Sequence, residues 1–145
     1  MNKLLYFSLL VFVISCTSPI EENTEEFGII SPDNVVKIEI TTEEPNDEIF
    51  INYYVYQTDS YDLQLYPFTY DSQGNANPIV ITLNNYDFRY IQGETYRNRV
   101  SSNIPLTLKL YLNDEIIVEE KSVIDEKNTN ARITFNYDIR RKESI

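Results

Sequence analysis

From residue 34 onward, apolar and polar side chains alternate with a period of two, in short runs that recur along the chain. "VVKIEI" sets Val36, Ile38 and Ile40 on one face against Lys37 and Glu39 on the other. "IFINYYVY" opposes Ile49, Ile51, Tyr53 and Val55 to Phe50, Asn52, Tyr54 and Tyr56, and "YDLQLYPFTY" opposes Tyr61, Leu63 and Leu65 to Asp62, Gln64 and Tyr66. The same period continues through Ile79, Ile81 and Leu83, then Tyr86, Phe88 and Tyr90. It resumes at Leu106, Leu108, Leu110 and Leu112, and again at Ile133, Phe135, Tyr137 and Ile139. Side chains alternate in this way on strands that bury one face. Seven or eight such strands at short spacing, with no helical stretch, predict an all-β fold: an antiparallel, immunoglobulin-like β-sandwich over residues 34–139, with 140–145 as a tail.

Two hairpins carry a register that can be derived, because a slip by one residue turns every side chain over. In "LKLYLNDEIIVEEK" a three-residue loop, Asn113 to Glu115, pairs Leu112 with Ile116 and Leu110 with Val118, and sets Lys109 opposite Glu119. By the same reasoning "VYQTDSYDL" takes Thr58 to Ser60 as its loop and pairs Val55 with Leu63, with the leucines inward. Its outer face then brings Tyr54 beside Gln64, Asn52 beside Tyr66, and Tyr56 beside Asp62. Pro67, which cannot donate to a ladder, is the place where a bulge can change the direction of Tyr66.

Ahead of the periodic region lies the apolar run from Leu4 to Ile14, preceded by Lys3 and closed by Ser15. As a helix it reaches ~16 Å, against ~30 Å of bilayer hydrocarbon, so it is too short to span. A cation, a short apolar core and a small residue make up a secretory signal over residues 1–15. Cys16, the sole cysteine, follows directly after "VIS". This resembles the lipobox of bacterial lipoproteins, with Val13 where leucine is commonest. The resemblance implies that Cys16 becomes the lipidated first residue of the mature chain. Several acyl chains, at ~0.8 kcal/mol per buried CH₂, anchor stably where one does not. A plain secretory cut that leaves an idle thiol, or an uncleaved helix, are the alternatives; a disulfide has no second cysteine.

Residues 16–33 read as the lipidated cysteine and an acidic, flexible tether, "TSPIEENTEEFGIISPD", with two prolines and four glutamates. The glutamates resemble the acidic export signals of surface lipoproteins in Bacteroidetes-type bacteria, although Glu21 stands farther from Cys16 than is usual. A solvated spacer serves as well. Thr17 is not the aspartate that marks inner-membrane retention in well-studied lipoproteins, which implies the outer membrane, on its periplasmic or surface side. The closing segment, "IPLTLKLYLNDEIIVEEKSVIDEKNTNARITFNYDI", resembles the last strands of small bacterial β-sandwich lipoproteins, including those labelled MmpS-like transport accessory proteins. It covers about a third of the chain and implies the fold more than a role.

Charge and composition narrow the chemistry. Without residues 1–15 the chain has 11 basic and 23 acidic residues, a formal balance of −12. Such a chain repels phosphate backbones and anionic lipid surfaces, so nucleic acid is excluded as a partner and membrane attachment falls to the lipid. There is no histidine, and lipidation would consume the only thiol. That removes the commonest general base and the cysteine nucleophile together. No GxSxG, P-loop or dinucleotide-binding glycine pattern is present, and with 3 glycines there is little material for a phosphate cradle. Serine–lysine or carboxylate-pair catalysis is all that remains, and the expectation is a non-catalytic protein without cofactor or metal. The acidic loops "TTEEPNDE" (Glu43, Glu44, Asp47, Glu48) and "YDSQGNAN" (Asp71, Asn75) offer oxygen ligands for calcium, but without a specific loop grammar they read as turns.

The remaining candidate is aromatic: 12 Tyr and 7 Phe with no Trp. Tyrosine joins a flat apolar body to a hydroxyl and suits protein partners and sugar rings alike, although it also favours strands. The candidate binding surface is therefore Tyr54, Tyr56, Tyr66, Asn52 and Gln64. The expected role is a membrane-anchored envelope module that holds a protein partner; the alternative is a glycan-binding module of a nutrient-uptake or adhesion system.

Overall fold

The structure, a computed structural model, describes residues 33–98, 102–122 and 124–145. Cys16, the leader and nearly all of the tether lie outside them. The described residues form an all-β, antiparallel β-sandwich. Its strands are β1 (Val36–Thr42), β2 (Glu48–Val55), β3 (Ser60–Pro67), β4 (Ile79–Leu83), β5 (Tyr90–Arg97), β6 (Leu106–Leu112), β7 (Glu115–Lys121), β8 (Ile133–Asp138) and β9 (Glu143–Ser144). One sheet runs β4-β1-β6-β7 and the other β3-β2-β5-β8-β9. Nine strands replace the expected seven or eight. The added one, β9, is a two-residue strand in the segment read as a tail, where it pairs with Tyr137 and Asp138.

The alternation of β1 becomes the floor of the core. Val36, Ile38 and Ile40 are fully buried, and each lies in a three-strand apolar row: Leu83–Val36–Leu112, Ile81–Ile38–Leu110 and Ile79–Ile40–Leu108. Opposite these stand Ile49, Ile51, Ile91, Ile133, Phe135 and Tyr137 of the five-stranded sheet. Cross-strand rows of branched side chains on one face are what stabilise a sheet, and two such faces close the sandwich.

The β6–β7 hairpin agrees with the derived register in its body and departs from it at the turn. Leu110 pairs with Val118, and Lys109 faces Glu119 with an ion pair of 3.4 Å. Leu112, however, pairs with Glu115, and a bulge follows in which Tyr111 faces Ile116. The loop is therefore two residues, Asn113 and Asp114, both with positive φ (52° and 66°), as a primed hairpin turn requires. Contacts outside the hairpin hold it so. Asn113 accepts from the Val35 amide at 2.8 Å and donates to Asn34 Oδ1 at 2.9 Å, and Asp114 pairs with Lys37 at 2.8 Å. The bulge takes up the extra residue, so the apolar register further along is unchanged.

The β2–β3 hairpin overturns the expectation outright. Val55 pairs with Ser60, Tyr54 with Tyr61, Asn52 with Leu63 and Phe50 with Leu65. Relative to the derived register this is a shift of three, an odd number, so β3 presents its other face. The cause is the loop: Tyr56–Thr58 form one 3-10 turn, and Asp59 closes it in the left-handed conformation at φ 49°. Tyr61, Leu63 and Leu65 consequently point to solvent, while Asp62, Gln64 and Tyr66 take the other face, where Tyr66 packs on the core and Gln64 remains exposed at the sheet edge. The polar groups on that face satisfy one another: Tyr53 donates to Asp62 at 3.0 Å, Gln64 to Asp62 at 2.7 Å, and Tyr66 to Gln64 at 2.9 Å. The rings of Tyr53 and Tyr66 supply the apolar contact with the core.

The sheets are joined at one end by a buried ion pair. Arg97 Nε lies 2.9 and 2.8 Å from the two oxygens of Asp47, and both side chains are only 2% exposed. Arg97 also donates to the Ile104 carbonyl at 2.7 Å and to Thr42 Oγ1 at 3.2 Å, and Thr42 donates to Asp47 at 2.9 Å. Thr42 ends β1 in one sheet and Arg97 ends β5 in the other. Asp47→Ala leaves a guanidinium buried without its counter-charge and should cost about 3–5 kcal/mol of unfolding free energy. Adding Arg97→Met should recover part of that loss. Urea denaturation checks both, and a loss in Asp47→Ala no larger than that of a surface substitution would show that the pair is not a keystone.

A second pair secures the opposite end. The Asp138 carboxylate, 1% exposed, accepts from Arg89 at 2.6–3.1 Å and from the backbone amides of Arg140 and Arg141. The Arg89 hydrogen bonds lead in lowering its pKa from the ordinary 3.8 to about 2. A carboxyl depressed in the folded state stabilises the fold above its unfolded pKa, and that contribution is lost as pH falls through the folded value. The melting-temperature gap between wild type and Asp138→Asn should therefore be full at neutral pH and close between about pH 4 and pH 2. A gap independent of pH would contradict this.

Candidate functional site

The outer face of the five-stranded sheet carries the complement of each buried row. β2 contributes Phe50, Asn52 and Tyr54; β3 contributes Tyr61, Leu63 and Leu65; β5 contributes Gln92, Glu94 and Tyr96; β8 contributes Thr134 and Asn136. Strand pairing makes a grid of them. Leu65, Phe50 and Tyr96 form one row, and Leu63, Asn52, Glu94 and Thr134 the next, while Tyr61 faces Tyr54 and Gln92 faces Asn136.

The aromatic side chains gather at the two ends of this grid. At one, Tyr61 and Tyr54 meet at 5.1 Å between ring centroids, Tyr54 and Tyr56 edge to face at 4.4 Å, and Tyr56 stacks on Phe88 at 4.7 Å. Phe88 in turn meets Tyr86 at 5.8 Å, and the buried Tyr86 donates to the Tyr90 carbonyl at 2.5 Å. Five rings thus run from an exposed strand around the end of the sandwich into the core. Such offset and edge-on pairs add to the stabilisation from area burial and hold the rings rigid. Burial pushes the Tyr56 phenol up to about 12, and the hydrogen bond to Asp59 raises that of Tyr54, so both remain neutral donors. At the other end Phe50 meets Tyr96 at 5.4 Å, and the Arg132 guanidinium lies 4.2 Å from the Tyr96 ring centroid.

Between the two ends lies a polar groove of about 360 Å³, lined by Asn52, Tyr61, Gln92, Glu94, Thr134 and Asn136 over the backbone of Gly93 and Phe135. The Glu94 carboxylate is engaged on one side by Arg132 and on the other by Asn52 at 3.5 Å. Gly93 is required beneath it. A Cβ at this position would sit 2.5 Å from the Asn52 carbonyl oxygen and 2.7 Å from the Phe135 ring.

Of the five residues expected to share one surface, the structure brings three together. Asn52 and Tyr54 are on the outer face of β2, and Tyr56 joins Tyr54 through its ring. Gln64 and Tyr66 are on the opposite face of β3 and bond to each other there, because the shifted register turns β3 over. The residues that replace them, Tyr61, Gln92 and Asn136, had a signal in the sequence. Gln92 and Asn136 are the polar alternates of "YIQGETYR" and "ITFNYD", but nothing local says that those two strands are neighbours. The acidic loops are occupied by their own structure: Asp47 holds Arg97, and Asp71 accepts from the amides of Gln73 and Asn75 at 2.9 and 2.8 Å. The Asn75 side-chain amide, which donates to Asp71 at 2.9 Å, leads these backbone bonds in holding the Asp71 carboxyl below its usual range. No protein-family model matches the chain, and no curated protein matches it.

Proposed function

We propose that this protein is a non-catalytic lipoprotein of the bacterial envelope, attached through Cys16 to the outer membrane, and that it holds a protein partner by adding a strand of that partner to β3. The observation that carries the partner reading is the character of this edge. β3 is the outermost strand of its sheet, and Tyr61, Leu63 and Leu65 stand 57%, 53% and 46% exposed in an unbroken alternate row along it. Edge strands are ordinarily guarded by charge, above all by lysine. β7, at the edge of the other sheet, follows that rule with exposed Glu115, Glu119, Glu120 and Lys121. Between Glu48 and Pro67 there is no Lys or Arg, and the acids are Glu48, Asp59 and Asp62. An apolar, net-acidic edge, with Pro67 only at its end and no charge on its outward row, suits an extended partner segment with alternate apolar residues and flanking basic ones. Lipid attachment suits such a role, because it confines the edge to a surface while leaving its free side to the partner.

Two experiments test the two halves. Cys16→Ala should abolish incorporation of a fatty-acid analogue into the chain, and undiminished label would refute lipidation at this residue. For the edge, a photo-crosslinking amino acid in place of Leu65, in cells producing the chain, should give a discrete protein adduct. Leu63→Lys, at an exposed position that tolerates charge, should lower its yield about tenfold. The same probe in place of Ile116 on β7 should give none. No adduct at Leu65, or one indifferent to Leu63→Lys, would overturn the partner reading.

A further inference from the structure

Two buried side-chain atoms among the described residues have no hydrogen-bond partner, and both belong to the same groove: Asn52 Oδ1 and Asn136 Oδ1. An unsatisfied buried acceptor costs about 1–3 kcal/mol, so two of them in one groove call for an explanation. Gln92 and Thr134, both lining the groove and able to supply the missing donor, make no side-chain hydrogen bond in the structure. The Asn52 amide nitrogen is turned instead to Glu94, at 3.5 Å. What the groove presents is therefore the Asn52 and Asn136 oxygens interleaved with the uncommitted Gln92 and Thr134 side chains, with the exposed Tyr61 ring as a wall.

From this we infer a second binding site, which adjoins the β3 edge and shares Tyr61 with it, for a neutral and hydroxyl-rich ligand: a segment of uncharged glycan. The groove selects against the alternatives. Its one carboxylate, Glu94, is already neutralised by Arg132, so it does not call for a cation. No Lys or Arg lines it, so it does not favour a phosphate or a uronate. It lies over β2, β5 and β8, which are paired with one another on both sides of β5, so no backbone edge is open to an added peptide strand. A sugar hydroxyl both donates and accepts, and thereby meets an amide oxygen and an amide nitrogen with one group. The apolar face of a sugar ring packs on a rigid aromatic, and Tyr61 is held by Tyr54. Both oxygens are buried in the groove as it stands, and they become ligand acceptors when the side-chain amides turn outward to a hydroxyl that enters it.

The test uses the full-length chain purified in detergent and a panel of neutral oligosaccharides (glucans, mannans, xylans and galactans), with polygalacturonate and oligolysine as charged comparisons. The expected result is binding to at least one neutral oligosaccharide at up to millimolar concentration by calorimetry, and to neither charged polymer. Asn136→Ala and Asn52→Ala should each weaken it about tenfold. Removing an unsatisfied acceptor should leave the melting temperature unchanged or raised, whereas a merely structural asparagine would lower it. Leu65→Lys, on the β3 edge but paired with Phe50 outside the groove, should leave the affinity intact, which separates this site from the β3 edge. Absence of binding across the neutral panel, preference for a charged polymer, or affinity indifferent to both asparagines would each overturn the assignment.

Discussion

The pairing of Arg97 with Asp47 is the constraint on which the rest of the sandwich rests. Hydrophobic rows press the two sheets together but are non-directional, so they set the separation of the sheets better than their alignment. A guanidinium whose Nε–H is shared by both carboxylate oxygens while its two terminal nitrogens bond Ile104 and Thr42 is directional, and buried where its removal would strand a charge, it admits one geometry. Its partners come from four places in the chain: Thr42 at the end of β1, Asp47 before β2, Arg97 at the end of β5, and the Ile104 carbonyl ahead of β6. Tyr70 extends the same network, accepting from the Asp47 amide at 2.7 Å and donating to the Glu44 carbonyl at 2.8 Å. With β1 and β5 fixed at this end, β2 and β8 on the one side and β4 and β6 on the other take their places by pairing.

That anchorage has a consequence for the outer face. β5 stands at the middle of its sheet, so the position of its outward residues, Gln92, Glu94 and Tyr96, follows from the clamp at Arg97. Asn52 on one neighbour and Asn136 on the other are then placed by register alone. A groove assembled from three paired strands is stiffer than one assembled from loops, so the spacing of its side chains is set by the sheet. The aromatic clusters at either end serve the same purpose, since rings locked edge to face and face to face lose little freedom when something packs on them.

Two of the sheet edges, β3 and β7, are treated differently, and the difference is physical. β7 carries three glutamates and a lysine, which discourage any strand from adding to it. β3 carries its leucines outward although the same sequence, paired one register over, could have buried them. Burying them would have placed Asp62, Gln64 and Tyr66 outside and broken the hydrogen-bonded series from Tyr53 through Asp62 and Gln64 to Tyr66. The observed series retains its bonds and still contributes two rings to the core, so the exposure of Leu63 and Leu65 is compensated within the hairpin.

Alternation by itself determined the class of the fold and the buried face of every strand whose neighbours are apolar on the same face. β1, β6 and β8 could be oriented from residue types alone, because a strand of Ile, Leu or Val against Lys, Glu or Asn has only one inexpensive orientation. Where both faces of a strand contain large side chains, the pattern is degenerate. "SYDLQLYP" puts leucines on one side and a tyrosine on the other, and the decision fell to the 3-10 turn at Tyr56–Thr58 and to hydrogen bonds made with β2. The Asn113–Asp114 turn shows the same limit, since its length depends on Asn34, Val35 and Lys37, some 77 to 79 residues away. The groove was out of reach for the same reason: Asn52, Gln92 and Asn136 are unremarkable on their own strands, and only the order β2-β5-β8 makes them neighbours.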